Sequence, residues 1–204
     1  MSDLLAIGEA LVELNQPSEG AAFVQGFGGD TSNAMIAAAR LGADAAYFTA
    51  IGADRFGQAL TELWMREGVD ASRIVVNGGA HTGLYFVTHG PEGHEFSYMR
   101  AGSAASRIAE QDLPVDRIRE TKILHVSGIS QAISSSAADA VFAAIDIAHE
   151  AGRLVSYDPN LRLKLWPLRR ARAVIHEAMR ACDIALPGLD DAEALTSLRD
   201  PDAI

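Results

Sequence analysis

The sequence is short of cysteine, of positive charge and of any long apolar run, and each shortage closes off a class of protein. One cysteine, Cys182, stands among 204 residues, so an intramolecular disulfide is impossible and a reducing compartment is expected. Lys and Arg number 17 against 27 Asp and Glu, a formal net charge of -10. That balance argues against general binding to nucleic acid or to anionic membranes, though it leaves room for a local basic pocket. No apolar stretch is long enough to cross a bilayer, and Met1-Ser2-Asp3 lacks the basic-then-apolar plan of a signal peptide. The expectation is a cytoplasmic protein with no nucleic-acid and no membrane partner. Aromatic residues make up only 6%, and Phe56 and Trp64 fall on the apolar side of a helix, as core rather than as a recognition platform. His81, His89 and His94 have no metal-ligand spacing and read as turn or surface histidines. No repeat, linker or low-complexity segment divides the chain.

What the chain does have is a hydrophobic content of 49%, enough for one large domain with a sizeable core. Short apolar runs alternate with helical patterns. Leu4 to Gly8, Ala45 to Ile51, Lys122 to Gly128, Arg153 to Tyr157 and Asp183 to Leu186 read as strands. Asp54 to Glu67, Ser136 to Ala151, Pro167 to about Ala181 and Asp190 to Leu198 read as helices. This alternation predicts a parallel sheet covered on both faces. Leu11 to Leu14, a short strand over 22–25, and a hairpin of 82–88 and 94–100 around His89-Gly90-Pro91-Glu92-Gly93 interrupt the pattern as an excursion from the main sheet.

The stretch that organises the rest is Gly26-Phe27-Gly28-Gly29-Asp30-Thr31-Ser32-Asn33, read as a glycine-rich turn feeding a helix. Asp30 to Asn33 are residue types that cap helix starts, and the free N–H groups there favour polar or anionic ligands. Ala34, Met35, Ala38 and Leu41 recur at helical spacing, and Gly42 is the expected stop. A capped helix after a loop would look the same locally. In open parallel sheets ligands bind outside the carboxyl ends of the strands, and Glu13, Asp158, Asn160 and Arg162 fall at or just after strand ends. His125 reads as a core histidine.

These residues together resemble the ribokinase-like (PfkB) carbohydrate kinases. The resemblance rests on Gly8-Glu9-Ala10-Leu11-Val12-Glu13, Gly28-Gly29-Asp30 with Asn33, Ala39-Arg40-Leu41-Gly42, and Ile51-Gly52-Ala53-Asp54-Arg55-Phe56-Gly57, in that order and spacing. It covers essentially the whole chain. Thr82-Gly83-Leu84-Tyr85, the run Phe96 to Ser106 and Asp158-Pro159-Asn160-Leu161-Arg162 make the chain most similar to the 2-keto-3-deoxygluconate kinases of that family. The resemblance implies an α/β, ribokinase-like three-layer sandwich with a small β-sheet lid, its lid segments near 11–27 and 82–100. It implies ATP and Mg2+ as cofactors and phosphorylation of a sugar acid, 2-keto-3-deoxygluconate, to its 6-phosphate. Gly29, Asp30 and Asn33 would hold substrate hydroxyls, with Glu13 a substrate-contacting acid and Tyr85 and Tyr98 closing from the lid. Arg100 and Arg162 would clamp the substrate carboxylate, a task suited to the two parallel donors of a guanidinium. Simpler roles for them are a solvated lid residue and a salt bridge to Asp158. Asn160 and Asp191 would lie near the nucleotide or metal. A second lid could pair with the first, giving a homodimer.

Two departures stand out. Where relatives carry Asn-x-x-Glu, this chain has Gly188-Leu189-Asp190-Asp191, and Gly188 has no side chain to contribute. The family's later Gly-Ala-Gly-Asp motif, with its catalytic base, has no counterpart here. The expectation is therefore an incomplete kinase domain, 1–204, lacking its C-terminal part, inactive alone, and with an unpaired sheet edge. Another PfkB sugar kinase such as a fructokinase, or a non-catalytic sugar-binding chain, is the alternative. A dinucleotide oxidoreductase is disfavoured because Gly26-Phe27-Gly28-Gly29 is not Gly-x-Gly-x-x-Gly.

Overall fold

In the computed structural model, residues 1–90 and 93–204 are described. The turn assigned above to Pro91 and Glu92 lies outside them, but the two strands it joins are present as a hairpin.

The chain runs β1 (Leu4–Ile7), β2 (Leu11–Asn15), β3 (Val24–Gly28), α1 (Asp30–Arg40), β4 (Ala45–Phe48), β5 (Ala50–Gly52), α2 (Arg55–Arg66), β6 (Val75–Asn77), β7 (Leu84–Gly90) and β8 (Gly93–Met99). It continues through α3 (Val115–Glu120), β9 (Ile123–Ser127), α4 (Gly128–Ala132), α5 (Ser135–Glu150), β10 (Leu154–Asp158), α6 (Leu168–Ala181), β11 (Ile184–Ala185) and α7 (Leu189–Thr196). Five strands form a parallel sheet in the order β11-β10-β9-β1-β4. Four more form a separate sheet, β3-β2-β7-β8, whose β2–β7 pair is parallel and whose outer pairs are antiparallel. A third, two-stranded sheet pairs β5 with β6.

The main sheet's two faces follow from period-two alternation. Leu5, Ile7, Ala46, Phe48, Leu124, Val126, Val155 and Tyr157 point to one side, where they meet α5 and α6 through Val141, Ala144, Ile145, Ala171 and Ile175. Ala6, Ala45 and Tyr47 point to the other, against Met35 and Ile36 of α1 and Leu60, Leu63 and Trp64 of α2. Fully burying a side chain such as Leu60 stabilises by about 1.5–3 kcal/mol. The three layers expected from the alternating pattern are present, and the lid sheet stands off them.

Local differences from the sequence reading have physical causes. The glycine-rich stretch is not a turn: Val24 to Gly28 is strand β3, paired along its length with β2. Gly29 alone makes the turn, as the N-cap of α1 with φ 118, and no side chain caps that helix. Asp30 is already inside its first turn. Leu41 is 89% exposed, because α1 buries Thr31, Ser32, Met35 and Ile36 instead; Gly42, at φ 91, does end the helix. The run 45–51 breaks at Thr49 and passes from one sheet to another. The strand read as running to Gly128 ends at Ser127, which caps the short helix α4. α3 had no periodic signal in its six residues.

Candidate active site

The carboxyl ends of β1, β9 and β10 open toward one end of the main sheet, and the N-terminus of α1 lies beside them. At the end of β10 the chain makes a tight loop in which Asn160 takes φ 35, a left-handed value that Asn tolerates better than most residues. Its N–H donates to Asp158 Oδ1 at 3.0 Å, and its side-chain amide donates to Asp30 Oδ2 at 3.1 Å. The next N–H, of Leu161, donates to Asp191 Oδ2 at 3.0 Å. One loop thus ties α1, β10 and α7 together. Gly128 lets it approach, since a Cβ there would sit 2.1 Å from the Pro159 carbonyl oxygen.

The cleft beside this loop, about 440 Å³, is lined by Asp158, Asn160, Arg162, Leu186, Gly188, Leu189, Asp190 and Asp191. Burial, with the nearby Asp30 carboxylate, raises the Asp158 carboxyl above its ordinary value. Arg162 forms no ion pair with Asp158; among the described residues its Nη1 donates to the neighbouring Leu161 carbonyl. Asp30 Oδ1 is buried and has no partner among the described residues. An unpartnered buried acceptor costs on the order of 1–3 kcal/mol, so a donor arriving there gains binding energy.

The lid carries the second group. Glu13, Tyr85 and Tyr98 stand in one cross-strand row, on β2, β7 and β8. Tyr85 donates its hydroxyl to Glu13 Oε2, and burial together with that carboxylate raises the Tyr85 phenol. The Tyr85 and Tyr98 rings lie 5.7 Å apart. Gly26 and Gly28 make room for this row: a Cβ on Gly28 would fall 2.6 Å from the Tyr85 hydroxyl, and one on Gly26 3.1 Å from Glu13 Oε1.

The structure therefore brings Asp30, Asn160, Asp158, Asp191 and Arg162 together at the sheet end, and Glu13, Tyr85 and Tyr98 together on the lid. Arg162 lines the cleft, and Arg100 is not among the cleft's lining residues. Arg100 is held by Glu9, a carboxylate only 1% exposed, because a buried charge must be paired. The Arg100 guanidinium expected to clamp a substrate carboxylate therefore already has a carboxylate partner within the chain. Asn33 is exposed and lines a hollow with Phe27, Ile36 and Leu63, not the cleft. Glu9 itself was missed; its motif, Gly8-Glu9-Ala10, was in view, but nothing in a single sequence tells a buried acid from a solvated one. His125 is a satisfied core histidine, its Nδ1 3.2 Å from Ser156 Oγ.

Mg2+ characteristically takes one or two protein carboxylates and completes its shell with water and phosphate oxygens. Among the described residues no three His, Cys, Asp or Glu side chains gather to hold a metal unaided. Asp158 and Asp191 fit the lesser demand in type, and Asp158, raised by burial and then by the nearby Asp30 and Asp191 charges, is a carboxyl whose charged form a cation would favour.

A parallel sandwich with a stand-off β lid and a polar cleft at the strand ends is an architecture able to enclose a small polar molecule. Comparison with known proteins places it more closely. The sequence model of the pfkB family carbohydrate kinases matches residues 1–204, and the chain belongs to that family. It is 39% identical over 183 residues to fructokinase-1 of Oryza sativa subsp. japonica, covering 89% of this chain and 56% of that protein. It is 35% identical over 212 residues to the 2-dehydro-3-deoxygluconokinase of Thermoproteus tenax, covering 99% of this chain and 64% of that protein. The chain thus spans less than two thirds of the length of both relatives. Among solved structures, a PfkB protein from Polaromonas sp. JS666 superimposes with a TM-score of 0.94 at 31% identity, over 99% of this chain and 71% of that one. The 2-dehydro-3-deoxygluconokinase of Thermotoga maritima gives 0.90 at 25% identity, over 97% and 63%. A fructokinase from Xylella fastidiosa with bound ATP gives 0.87 at 26%, over 97% and 64%.

Proposed function

We propose that this chain supplies the acceptor-binding cleft and lid of an ATP-dependent, Mg2+-requiring kinase acting on a sugar acid, with 2-keto-3-deoxygluconate converted to its 6-phosphate by the complete protein. The observation that carries a sugar-binding role is the buried, partnerless Oδ1 of Asp30, aligned by Asn160 at the mouth of α1. A sugar hydroxyl is the donor that position lacks. Arg162, uncommitted to any carboxylate, supports an acidic substrate, since a guanidinium can grip a carboxylate through two charge-assisted bonds.

In this reading Asp30 holds and orients a substrate hydroxyl, and Gly29 keeps main chain near it. Tyr85 and Tyr98 cover the sugar from the lid and exclude water, with Glu13 fixing the Tyr85 hydroxyl. Asn160 and Asp191 shape the side facing the phosphates. ATP would supply the phosphoryl group, and Mg2+, which Asp158 and Asp191 would hold, would supply the charge neutralisation that phosphoryl transfer demands. This chain's residues position the acceptor, and none of them is assigned as its base. Exposed lid residues support a lid-to-lid homodimer: Phe96, Tyr98 and Met99 on edge strand β8 are 44%, 46% and 56% exposed. No helix among the described residues is long and apolar enough to cross a membrane, and a cytoplasmic location is proposed.

The reading is tested with the complete protein on a panel of 2-keto-3-deoxygluconate, fructose and other neutral ketoses. Arg162→Ala should cut kcat/KM for the acid at least about tenfold, the scale of a lost charged hydrogen bond, and leave fructose within twofold. Equal use of acid and ketose by the parent protein would refute the Arg162 argument. A second reading, fructokinase, is favoured by one observation: Glu9 already neutralises Arg100.

A further inference from the structure

Four chain crossings connect the lid with the layers beneath: β1 into β2, β3 into α1, the entry to β7 and the exit from β8. Glu9 touches all four. It lies in the first crossing, and its carbonyl oxygen is where a Cβ on Gly29, in the second, would fall 2.5 Å away. Its Oε1 accepts from Ser103 Oγ at 3.2 Å, in the fourth, and lies close to Gly83, in the third, where a Cβ would stand 3.1 Å from that oxygen and 2.6 Å from Leu11 Cδ2. Its Oε2 accepts from Arg100 Nη2. Burial raises this carboxyl above its ordinary value, and the Arg100 charge and the Ser103 hydroxyl oppose the rise.

Arg100 in turn sits between Glu9 and the lid, its guanidinium carbon 5.7 Å from the centre of the Tyr98 ring. Its side chain is 13% exposed, and its Nε is buried without an acceptor. A substrate beneath Tyr98 thus meets a guanidinium whose charge is already compensated and whose place is fixed from the far side.

We propose that Glu9 is a positioning residue: it holds Arg100 at the junction of lid and core and, by compensating its charge, limits how strongly the site prefers an acidic to a neutral sugar. The specificity half rests on the kinase reading above; the positioning half does not.

The test uses the complete protein with Glu9→Gln, Arg100→Met and the pair. Glu9→Gln keeps shape and hydrogen-bonding capacity but removes the compensating charge. It should raise the ratio of kcat/KM for 2-keto-3-deoxygluconate to that for fructose about tenfold or more, because a unit charge a few ångströms away acts at low effective dielectric. In the Arg100→Met background the same substitution should leave the ratio within twofold, which a merely structural role would not predict. Independently of activity, the three variants form a double-mutant cycle in the unfolding equilibrium constant, where coupling of tenfold or more is expected. Coupling below twofold would overturn the positioning role. Coupling with an unchanged ratio would overturn the specificity role and leave the kinase reading standing. Phosphorylation of neither sugar would overturn the kinase reading and the specificity role together, while the cycle would still judge the pairing of Glu9 with Arg100.

Discussion

Gly29 is the residue on which lid, helix and cleft turn, and replacing it with alanine should be among the costliest single-methyl changes in the protein. Two separate penalties apply. A φ of 118 is closed to ordinary L residues, which costs about 1–3 kcal/mol. The new Cβ would also stand 2.5 Å from the Glu9 carbonyl oxygen and 2.9 Å from the Ala10 Cα; these are backbone atoms of the first lid crossing, unable to rotate away. Overpacking of that kind costs about 1–3 kcal/mol, while the stiffer unfolded chain returns roughly 0.4–1 kcal/mol. The net expectation is a loss of about 3 kcal/mol. Gly42→Ala separates the two penalties, because Gly42 has φ 91 but nothing within 4 Å of its Cβ position. It should lose about 1 kcal/mol from backbone conformation alone. Urea unfolding of both variants, followed by circular dichroism, measures the difference. If Gly29→Ala fell within about 0.5 kcal/mol of Gly42→Ala, the usual scatter between independent sites, contact with the Glu9 backbone would not be the reason for glycine here.

Asp54→Ala should destabilise by about 2–3 kcal/mol in the same assay, since its carboxylate caps α2 at Gly57 N and accepts from both the N–H and hydroxyl of buried Thr82. Tyr157→Phe removes the donor to Gln131 Oε1 at 2.7 Å and leaves a buried amide whose Nε2 already lacks a partner. A loss of about 1–3 kcal/mol is expected, with much of it recovered in Tyr157→Phe/Gln131→Leu, where no polar group is stranded. Burial pulls His125 below its ordinary 6.5, with the Asp30 charge opposing. The unfolded chain therefore binds a proton there before the folded one does, and stability should fall as pH drops below about 6.5. The urea midpoint compared at pH 7.5 and 5.5, parent against His125→Gln, reads that contribution, and equal slopes would refute it.

Much of the architecture was legible because it is written in local periodicity. β1, β4, β9 and β10 are short apolar runs, and α2, α5 and α6 have one apolar side each, so three layers could be anticipated from the residues. Signals failed where tertiary context decides. Gly26-Phe27-Gly28 looks like a turn by composition, yet it is a strand because Glu13 and Tyr85 need the volume its glycines leave free. Leu41 looks like the last rung of an apolar face, yet the helix ends there and the side chain points to water. At the site, Asp30 could be suspected from its place at a helix start and Arg162 from its place after a strand end. The pairing of Glu9 with Arg100, separated by 91 residues, could not, since no short-range pattern records which acid meets which base.

That pairing changes how the charges should be counted. Arg100 and Glu9 cancel, so the cleft's own balance is set by Arg162 against Asp158, Asp190 and Asp191, with Asp30 beside them. One cation among four acids does not attract anions over long range. An acidic sugar would have to be recognised at contact, by a guanidinium offering two directed bonds, rather than steered in from solution. Raising the salt concentration screens the long-range field and barely affects a contact at a few ångströms in a partly buried site. The association of an acidic substrate should therefore depend weakly on ionic strength, whereas a site with two uncompensated arginines would show a steep dependence.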